Sequence, residues 1–528
     1  MFSKNIRITL FPVSTDAGCA DMTGGYMKKG DLVTGTGISL DFPNKSRVLV
    51  KEKTEDAEKE IIVRTKGVLP GQKVELRIKK MHHGSPEGIL TKVVEKSALE
   101  KESDCPHFSV CGGCCYRTLP YEEQLRLKEN QVKDLLRPVT EAGGKNLDDI
   151  YEGISRSPVY EGYRNKMEFT FGDEYKDGPL SLGLHKRGSM YDIVPVLNCR
   201  IVDEDYRAIL AFTLKYFKER EISYFHKTQH TGYLRHLLIR KSKKYGEILV
   251  ALVTTSKLVT AEGAETDSQN LLDGFVQGIK ELKLSGTLTG IVHTVNDSVA
   301  DTVKDEGSEV LFGRNYIREV LLGLQFKISQ FSFFQTNSLG AEVLYGKVRE
   351  FLLGEKEDTK ASVIYDLYSG TGTIAQLMAP VADKVVGVEI VEEAVEAAKE
   401  NAALNGLDNC DFIAGDVLKV LDDLTQKPDL IILDPPRDGI HPKALPKIIG
   451  YGVDRMVYVS CKPTSLARDL EVFMENGYMP ERICTVDMFP GTVHVECVAL
   501  LQRMSNTRQA TITLDVDMED YHRIKGDT

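Results

Sequence analysis

From about residue 360 the chain settles into one rhythm. Apolar runs of strand length alternate with stretches of helical spacing. "SVIYDLYSG" leads into a helix to about Val381, and "KVVGVEI" is followed by the helix "EEAVEAAKENAALNG". Next come "CDFIAGD", a short helix, "DLIILDPPRDG", a helix, "MVYVSC" and another helix, and the series closes on "ICTVDMFP" and "HVECVALLQR". Strands separated by helices cannot pair as hairpins, so this pattern predicts a parallel, doubly wound sheet with an antiparallel pair at its end. Ligands of such sheets lie outside the carboxyl ends of the strands. The residues that end each apolar run are therefore the candidate site.

At 528 residues the chain exceeds one core, and about three domains are expected. Residues 30–98 hold short strands such as "SRVLV", "KEIIVRT" and "KVELRIKK" between turn signals, which suggests a small OB-like β-barrel. "EKTEDAEKE" reads as an exposed loop within it. The segment 99–335 reads as a mixed α+β central domain, and 336–503 as the doubly wound domain. That leaves extensions at 1–29 and 504–528, and the fold class is multidomain α/β. In "LPYEEQLRLKENQVKDLLRPV", Leu125, Leu127, Val132, Leu135 and Leu136 recur near helical spacing, and Pro138 is expected to stop the helix. No run of eighteen apolar residues and no signal-length apolar segment appears, so a cytoplasmic, monomeric protein without a membrane span is expected.

The net charge of −11 argues at first against a polyanionic partner, but local patches decide such binding. Residues 226–244, "HKTQHTGYLRHLLIRKSKK", carry six Lys/Arg, three His and no acid. Such a run is usually a solvated face. Tyr233 beside Arg235 and Arg240 tilts the expectation toward RNA, where stacking joins phosphate pairing. Of ten cysteines, four fall within eleven residues: Cys105, Cys111, Cys114 and Cys115. In a cytoplasmic setting such a cluster points to metal rather than to disulfides.

"DLYSGTGT" (366–373) places Gly370 and Gly372 at a strand-to-helix turn, where backbone can approach a ligand closely. Glu389, at the end of the following strand, suits the two hydroxyls of a ribose, and Asp416, after the next, an adenine edge. Three strand ends then form a nucleoside crevice. NAD is the rival ligand; its third glycine position holds Ala375, and the antiparallel closing pair favours S-adenosylmethionine.

Asp434 ends the next strand in "ILDPPRDG". Amine-directed methyltransferases place an aromatic after such a D-P-P, and here Arg437 stands there, so another chemistry is required. Cys461, one strand further, supplies it. Carbon 6 of uracil accepts a thiolate, carbon 5 becomes nucleophilic, and a base must finally remove its proton. The adjacent Lys462 and the helix start at Pro463–Thr464 should favour the thiolate. Glu496 can serve as the base, with His494 two residues before it on the same face. Each residue has a plainer reading: a packed thiol, a surface carboxylate, a helix cap at Asp434, a structural histidine. Their convergence on one sheet edge speaks against all four together.

With these residues in view, the chain resembles the RNA (uracil-5-)-methyltransferase family from about 30 to 503. The likeness rests on "SQFSFFQTN" (329–337), "DLYSGTGT", "GVE" (387–389), "LDPPRDG", "YVSCKPTSLARD", "DMFPGTVHVE" and "CPHFSVCGGC". The resemblance implies that Gln335, Tyr368, Glu389 and Asp434 hold S-adenosylmethionine or the target base. It implies Cys461 as nucleophile and Glu496 as proton acceptor. Gly370, Thr373 and Asp416 complete the expected cofactor contacts. Some members carry His at Gly491 and Asn at Thr373, differences that touch the rim and the cofactor contacts rather than the core chemistry. Cys105, Cys111 and Cys114 have C-x5-C-x2-C spacing, and the family's fourth ligand falls on Cys199. That set suits a [4Fe–4S] cluster, with four-cysteine zinc as the alternative; Cys115 is a bystander. The C-x3-C-x2-C spacing of radical enzymes is absent. The barrel resembles a TRAM domain, an RNA-binding module. Members with this cysteine cluster more often act on large-subunit ribosomal RNA than on transfer RNA, so ribosomal RNA is the expected partner. A non-catalytic RNA-binding protein and a small-molecule methyltransferase are the rivals from other classes.

Overall fold

The computed structural model describes residues 27–504 apart from 54–57, 83–84, 260–263, 300–303, 355–360 and 425. The expected extensions at 1–29 and 504–528 lie almost wholly outside the described residues. The described residues form two compact units that divide between Ala98 and Leu99. Among the described residues no helix is long and apolar enough to cross a membrane.

The first unit is a closed five-stranded barrel. Its strands are Leu32–Asp41, Lys45–Lys53, Glu58–Lys66, Lys73–His82 and Ser85–Glu95, with the last seated between the third and fourth. The second and third strands reach into both ends of "EKTEDAEKE", and the remainder of that expected loop, 54–57, lies outside the described residues. Alternation builds the core: Val74, Leu76 and Ile78 point inward beside Val48 and Val63, while the charged residues between them face out. Closure is tight at Gly35, where a Cβ would come within 2.6 Å of the Leu49 carbonyl oxygen.

The second unit contains two large sheets. One has seven strands in the order Ser308–Gly313, Thr287–Val295, Glu247–Thr254, Leu234–Lys241, Lys166–Asp173, Leu180–His185 and Ile193–Val194. The basic stretch forms its central strand, and this corrects the RNA reading of its side chains. Tyr233, Arg235 and Arg240 are all buried. Arg235 lies over the Phe225 ring and donates to the Asn296 and Ser298 carbonyls. Arg240 donates to the carbonyls of Gln330 and Ser332. These guanidiniums satisfy loop carbonyls inside the protein rather than phosphates outside it.

The helix Tyr121–Ala142 also differs from expectation, running through Pro138 to Gly143. Proline forfeits one backbone hydrogen bond, to the carbonyl four residues back. Leu136, Val139 and Thr140 remain buried on one face and keep the last turn seated.

The other sheet has eight strands, in the order Cys410–Ala414, Ala382–Glu389, Ala361–Leu367, Leu430–Leu433, Arg455–Ser460, Glu496–Arg503, Tyr478–Val486 and Tyr151–Ser155. The first five run parallel, and Glu496–Arg503 is antiparallel to both neighbours. The doubly wound sheet with its antiparallel closure is as expected. Tyr151–Ser155 adds an edge strand from far upstream, pairing parallel with Tyr478–Val486.

Candidate active site

Sheet direction brings the predicted residues together. Leu367, Val388 and Leu433 stand level in adjacent parallel strands, so Tyr368, Glu389 and Asp434 emerge side by side at the carboxyl edge. The strand Arg455–Ser460 ends at the same edge and delivers Cys461. Because the next strand is antiparallel, it begins where that one ends: Cys497 pairs with Ser460, which puts Glu496 beside Cys461.

The crevice over the first strands is built for backbone contact. Tyr368 adopts φ +69°, a strained value for a non-glycine residue and one typical of functional turns. A Cβ on Gly370 would meet only the Phe333 ring at 3.9 Å, so this glycine faces open space. Glu389 accepts the Gly370 and Val391 backbone N–H groups at 3.0 Å each, which fixes its carboxylate in place. Thr373 is buried in the first turn of the helix Thr373–Met378. The Gln335 carbonyl accepts from the Asn165 side chain at 2.9 Å. Asp416 differs from the expectation of a strand end: it caps the helix Val417–Asp423, accepting the Leu418 N–H at 3.0 Å.

Two groups the sequence reading passed over belong here. Asp366 is fully buried, with one oxygen accepting the Ala375 N–H at 2.9 Å and the other without a partner. Burial first, then Asp434 and Glu389, pushes its carboxyl well above the usual range. Tyr345, buried in the helix Ser338–Leu353, hydrogen-bonds the Gln335 side chain within reach of Asp434 and Glu496. Asp366 stood inside a quoted motif and could have been read; a tyrosine in mid-helix carries no such signal. Two carboxyl groups, Glu389 and Asp434, thus reach the crevice, and the buried Asp366 lies within electrostatic reach of both. That suits a cationic ligand such as a sulfonium with its ammonium group, and opposes a pyrophosphate.

Around Cys461 the charges are arranged differently from expectation. Burial, then Glu496 and Asp434, pushes its thiol up to about 11, while Arg437 pulls it down. Lys462 does not take part: its exposed side chain turns to Asp438 at 3.5 Å. The loop cation is Arg437, whose carbonyl is held by the Ser465 hydroxyl at 2.7 Å. Burial raises Asp434 to about 7. Burial and Asp434 raise Glu496, 4% exposed, well above the carboxylate range. Asp434 caps no helix, since the next one starts at Leu445. His494 lies in the turn before the strand, exposed and edge-on to Phe489, rather than on a shared strand face with Glu496. A thiol pushed up to about 11 should be alkylated by iodoacetamide about tenfold faster per pH unit from pH 6.5 to 8.5, read as the rate of Cys461 labelling. A rate flat over that range would show a thiolate already formed.

Cys105, Cys111, Cys114 and Cys199 line one hollow of about 390 Å³, including its open mouth, together with His107 and Arg117. All four are free thiols. Burial, then Cys199, pushes Cys114 up to about 12, with Cys105 and Cys111 adding to the rise. The Gly113 N–H donates to the Cys111 sulfur at 3.4 Å, and one Arg117 nitrogen is buried without a partner. Among the described residues no three His, Cys, Asp or Glu side chains converge on a single-ion site. The expected metal set is therefore a shared hollow here, not a formed coordination shell.

Sheet order, closing strand and carboxyl-lined crevice together define a methyltransferase. A family model described as tRNA (Uracil-5-)-methyltransferase matches residues 298–504. An uncharacterized RNA methyltransferase of Caldanaerobacter subterraneus subsp. tengcongensis is 46% identical over 90% of this chain and 100% of its own. One from Clostridium tetani is 48% identical over 82% and 91% respectively. Among solved structures, the Pyrococcus abyssi tRNA (uracil-54, C5)-methyltransferase in complex with S-adenosyl-L-homocysteine is 26% identical. It covers 89% of this chain and 100% of its own, with a TM-score of 0.64. The chain belongs to the RNA (uracil-5-)-methyltransferase family and is an S-adenosylmethionine-dependent RNA methyltransferase.

Proposed function

We propose that this enzyme methylates carbon 5 of a uridine through a covalent Cys461 adduct. The observation that carries the reading is the adjacency of Cys461 and Glu496 at two strand ends beside Asp434. S-adenosylmethionine supplies the methyl group and leaves as S-adenosylhomocysteine. Glu389 holds the ribose hydroxyls with the lone pairs left free by Gly370 and Val391. Tyr368, Gly370, Thr373 and Asp416 frame the nucleoside, and Gln335 and Asp434 orient the donor or the base. Asp434 and Glu496 lose their protons more readily beside a cationic ligand. The deprotonated Cys461 sulfur bonds to carbon 6, and the double-bond pair shifts toward carbon 5. Carbon 5 takes the methyl group. Glu496 then removes the carbon 5 proton, and the pair left behind restores the double bond and expels the Cys461 sulfur. A stacked uridine cannot reach this edge, so the target is flipped out or lies in a loop.

Large-subunit ribosomal RNA is the proposed substrate, on the resemblance to members with the cysteine hollow. The barrel serves as the TRAM-like RNA grip, and the enzyme acts as a cytoplasmic monomer. Transfer RNA is the second reading, favoured by the family model and by the Pyrococcus enzyme. The hollow fits a [4Fe–4S] cluster on Cys105, Cys111, Cys114 and Cys199, with a structural role. Its support is a free thiol set around one space, a backbone N–H on sulfur and an unpartnered guanidinium N–H. Protein purified without oxygen should carry iron and acid-labile sulfide; zinc alone, without sulfide, would replace the cluster. The same protein, with labelled donor, is offered unmodified ribosomal and transfer RNA, and the labelled nucleoside is identified. Label in 5-methyluridine from ribosomal RNA supports the whole reading. Label from transfer RNA keeps the chemistry and changes the substrate, and label in neither removes the function.

A further inference from the structure

The turn that delivers Glu496 is held from outside its own sheet. Residues 487–495 connect the strands Tyr478–Val486 and Glu496–Arg503. Lys128, from the helix Tyr121–Ala142, is completely buried against this turn. Its ammonium donates to Asp487 Oδ1 at 2.6 Å, to the Phe489 carbonyl at 3.1 Å and to the His494 carbonyl at 2.9 Å. One helical turn earlier, Gln124 accepts the Gly491 N–H at 2.8 Å. Residues four apart share a helix face, so one face of this helix grips the turn at its start, middle and end. Burying an ammonium is expensive, and an apolar contact would join the two elements at lower cost. What the ammonium adds is direction. Its three N–H groups fix three oxygens, the last of them two residues from Glu496.

We propose that Lys128 is a positioning residue for proton abstraction, setting through the 487–495 turn where the Glu496 carboxylate meets carbon 5. The inference rests on the reading of Glu496 as the base. A misplacement of about 1 Å can cost roughly a hundredfold in rate, so loosening this turn should slow release while leaving donor binding intact.

Lys128→Met alone strands a buried Asp487 and is expected to lower the melting temperature. The double variant K128M/D487L removes both charges, and replacing a buried ion pair by apolar residues is often neutral for stability. The double variant should melt near wild type. With the RNA that wild type methylates, it should accumulate the covalent RNA–protein adduct and turn over roughly a hundredfold more slowly, with KM for S-adenosylmethionine within about threefold. Wild-type melting with turnover within about threefold and no adduct would overturn the proposal. A double variant that does not fold would assign the pair to structure and equally overturn it. Wild type is assayed in parallel; absence of 5-methyluridine there would instead remove the function on which the proposal rests.

Discussion

Cys461→Ala is expected to abolish methylation, lowering turnover by about 10⁴-fold or more, while S-adenosylmethionine still binds. The two halves of that result come from different strands. The donor crevice is made by the Gly370 turn and Glu389, with the buried, half-satisfied Asp366 in electrostatic reach, and none of these depends on the thiol. In the proposed mechanism this sulfur bonds to carbon 6, and alanine leaves carbon 5 of the uracil without nucleophilic character. The neighbouring carboxyls do not substitute, because a carboxylate is a far weaker nucleophile toward carbon 6 than a thiolate. Calorimetric titration of the donor should give a dissociation constant close to wild type, and 5-fluorouridine RNA should form no adduct. Residual turnover within about tenfold of wild type would remove Cys461 from the mechanism. Loss of donor binding would instead show that the thiol supports the crevice.

The parallel sheet and its edge were legible because each strand end carries its own signal. An apolar run terminates in glycine, acid or cysteine, and the topology then converts sequence order into spatial order. Glu496 was legible for the same reason: an antiparallel strand starts where its parallel neighbour stops. The misreadings share another cause. Arg235 and Arg240 look like a basic surface because their partners, carbonyls at 296, 298, 330 and 332, lie some sixty to ninety residues away. Lys462 sits next to Cys461 in sequence, yet Arg437 supplies the loop cation near the thiol, because the loop after the preceding strand folds over it. Lys128 reads as an ordinary helix lysine until Asp487, 359 residues on, is placed against it. Pro138 obeys its local rule only if nothing holds the following turn. Local chemistry locates groups on elements; it does not tell which distant element closes over them.

Glu496→Gln should trap the reaction after methyl transfer. Glutamine preserves the shape of the side chain at the start of the strand but cannot take the carbon 5 proton. Addition and methylation then proceed, and the Cys461 sulfur is not released. Denaturing gels should show a stable RNA–protein adduct carrying the labelled methyl group, with release slowed about 10²- to 10⁴-fold. If no more adduct appears than with wild type, another group is the base. The same variant reports on the resting site. In the folded enzyme the Glu496 carboxyl is held above its ordinary value of 4.5, chiefly by burial. Above that value the folded state retains a proton that the unfolded state has lost, so wild-type stability falls as pH rises toward the folded value. Glutamine has no proton to lose. The E496Q protein should therefore melt higher than wild type at pH 8, and the gap should shrink toward pH 5. An equal gap at both pH values would mean that Glu496 is already ionised in the free enzyme, ready to act as base before any cationic ligand arrives.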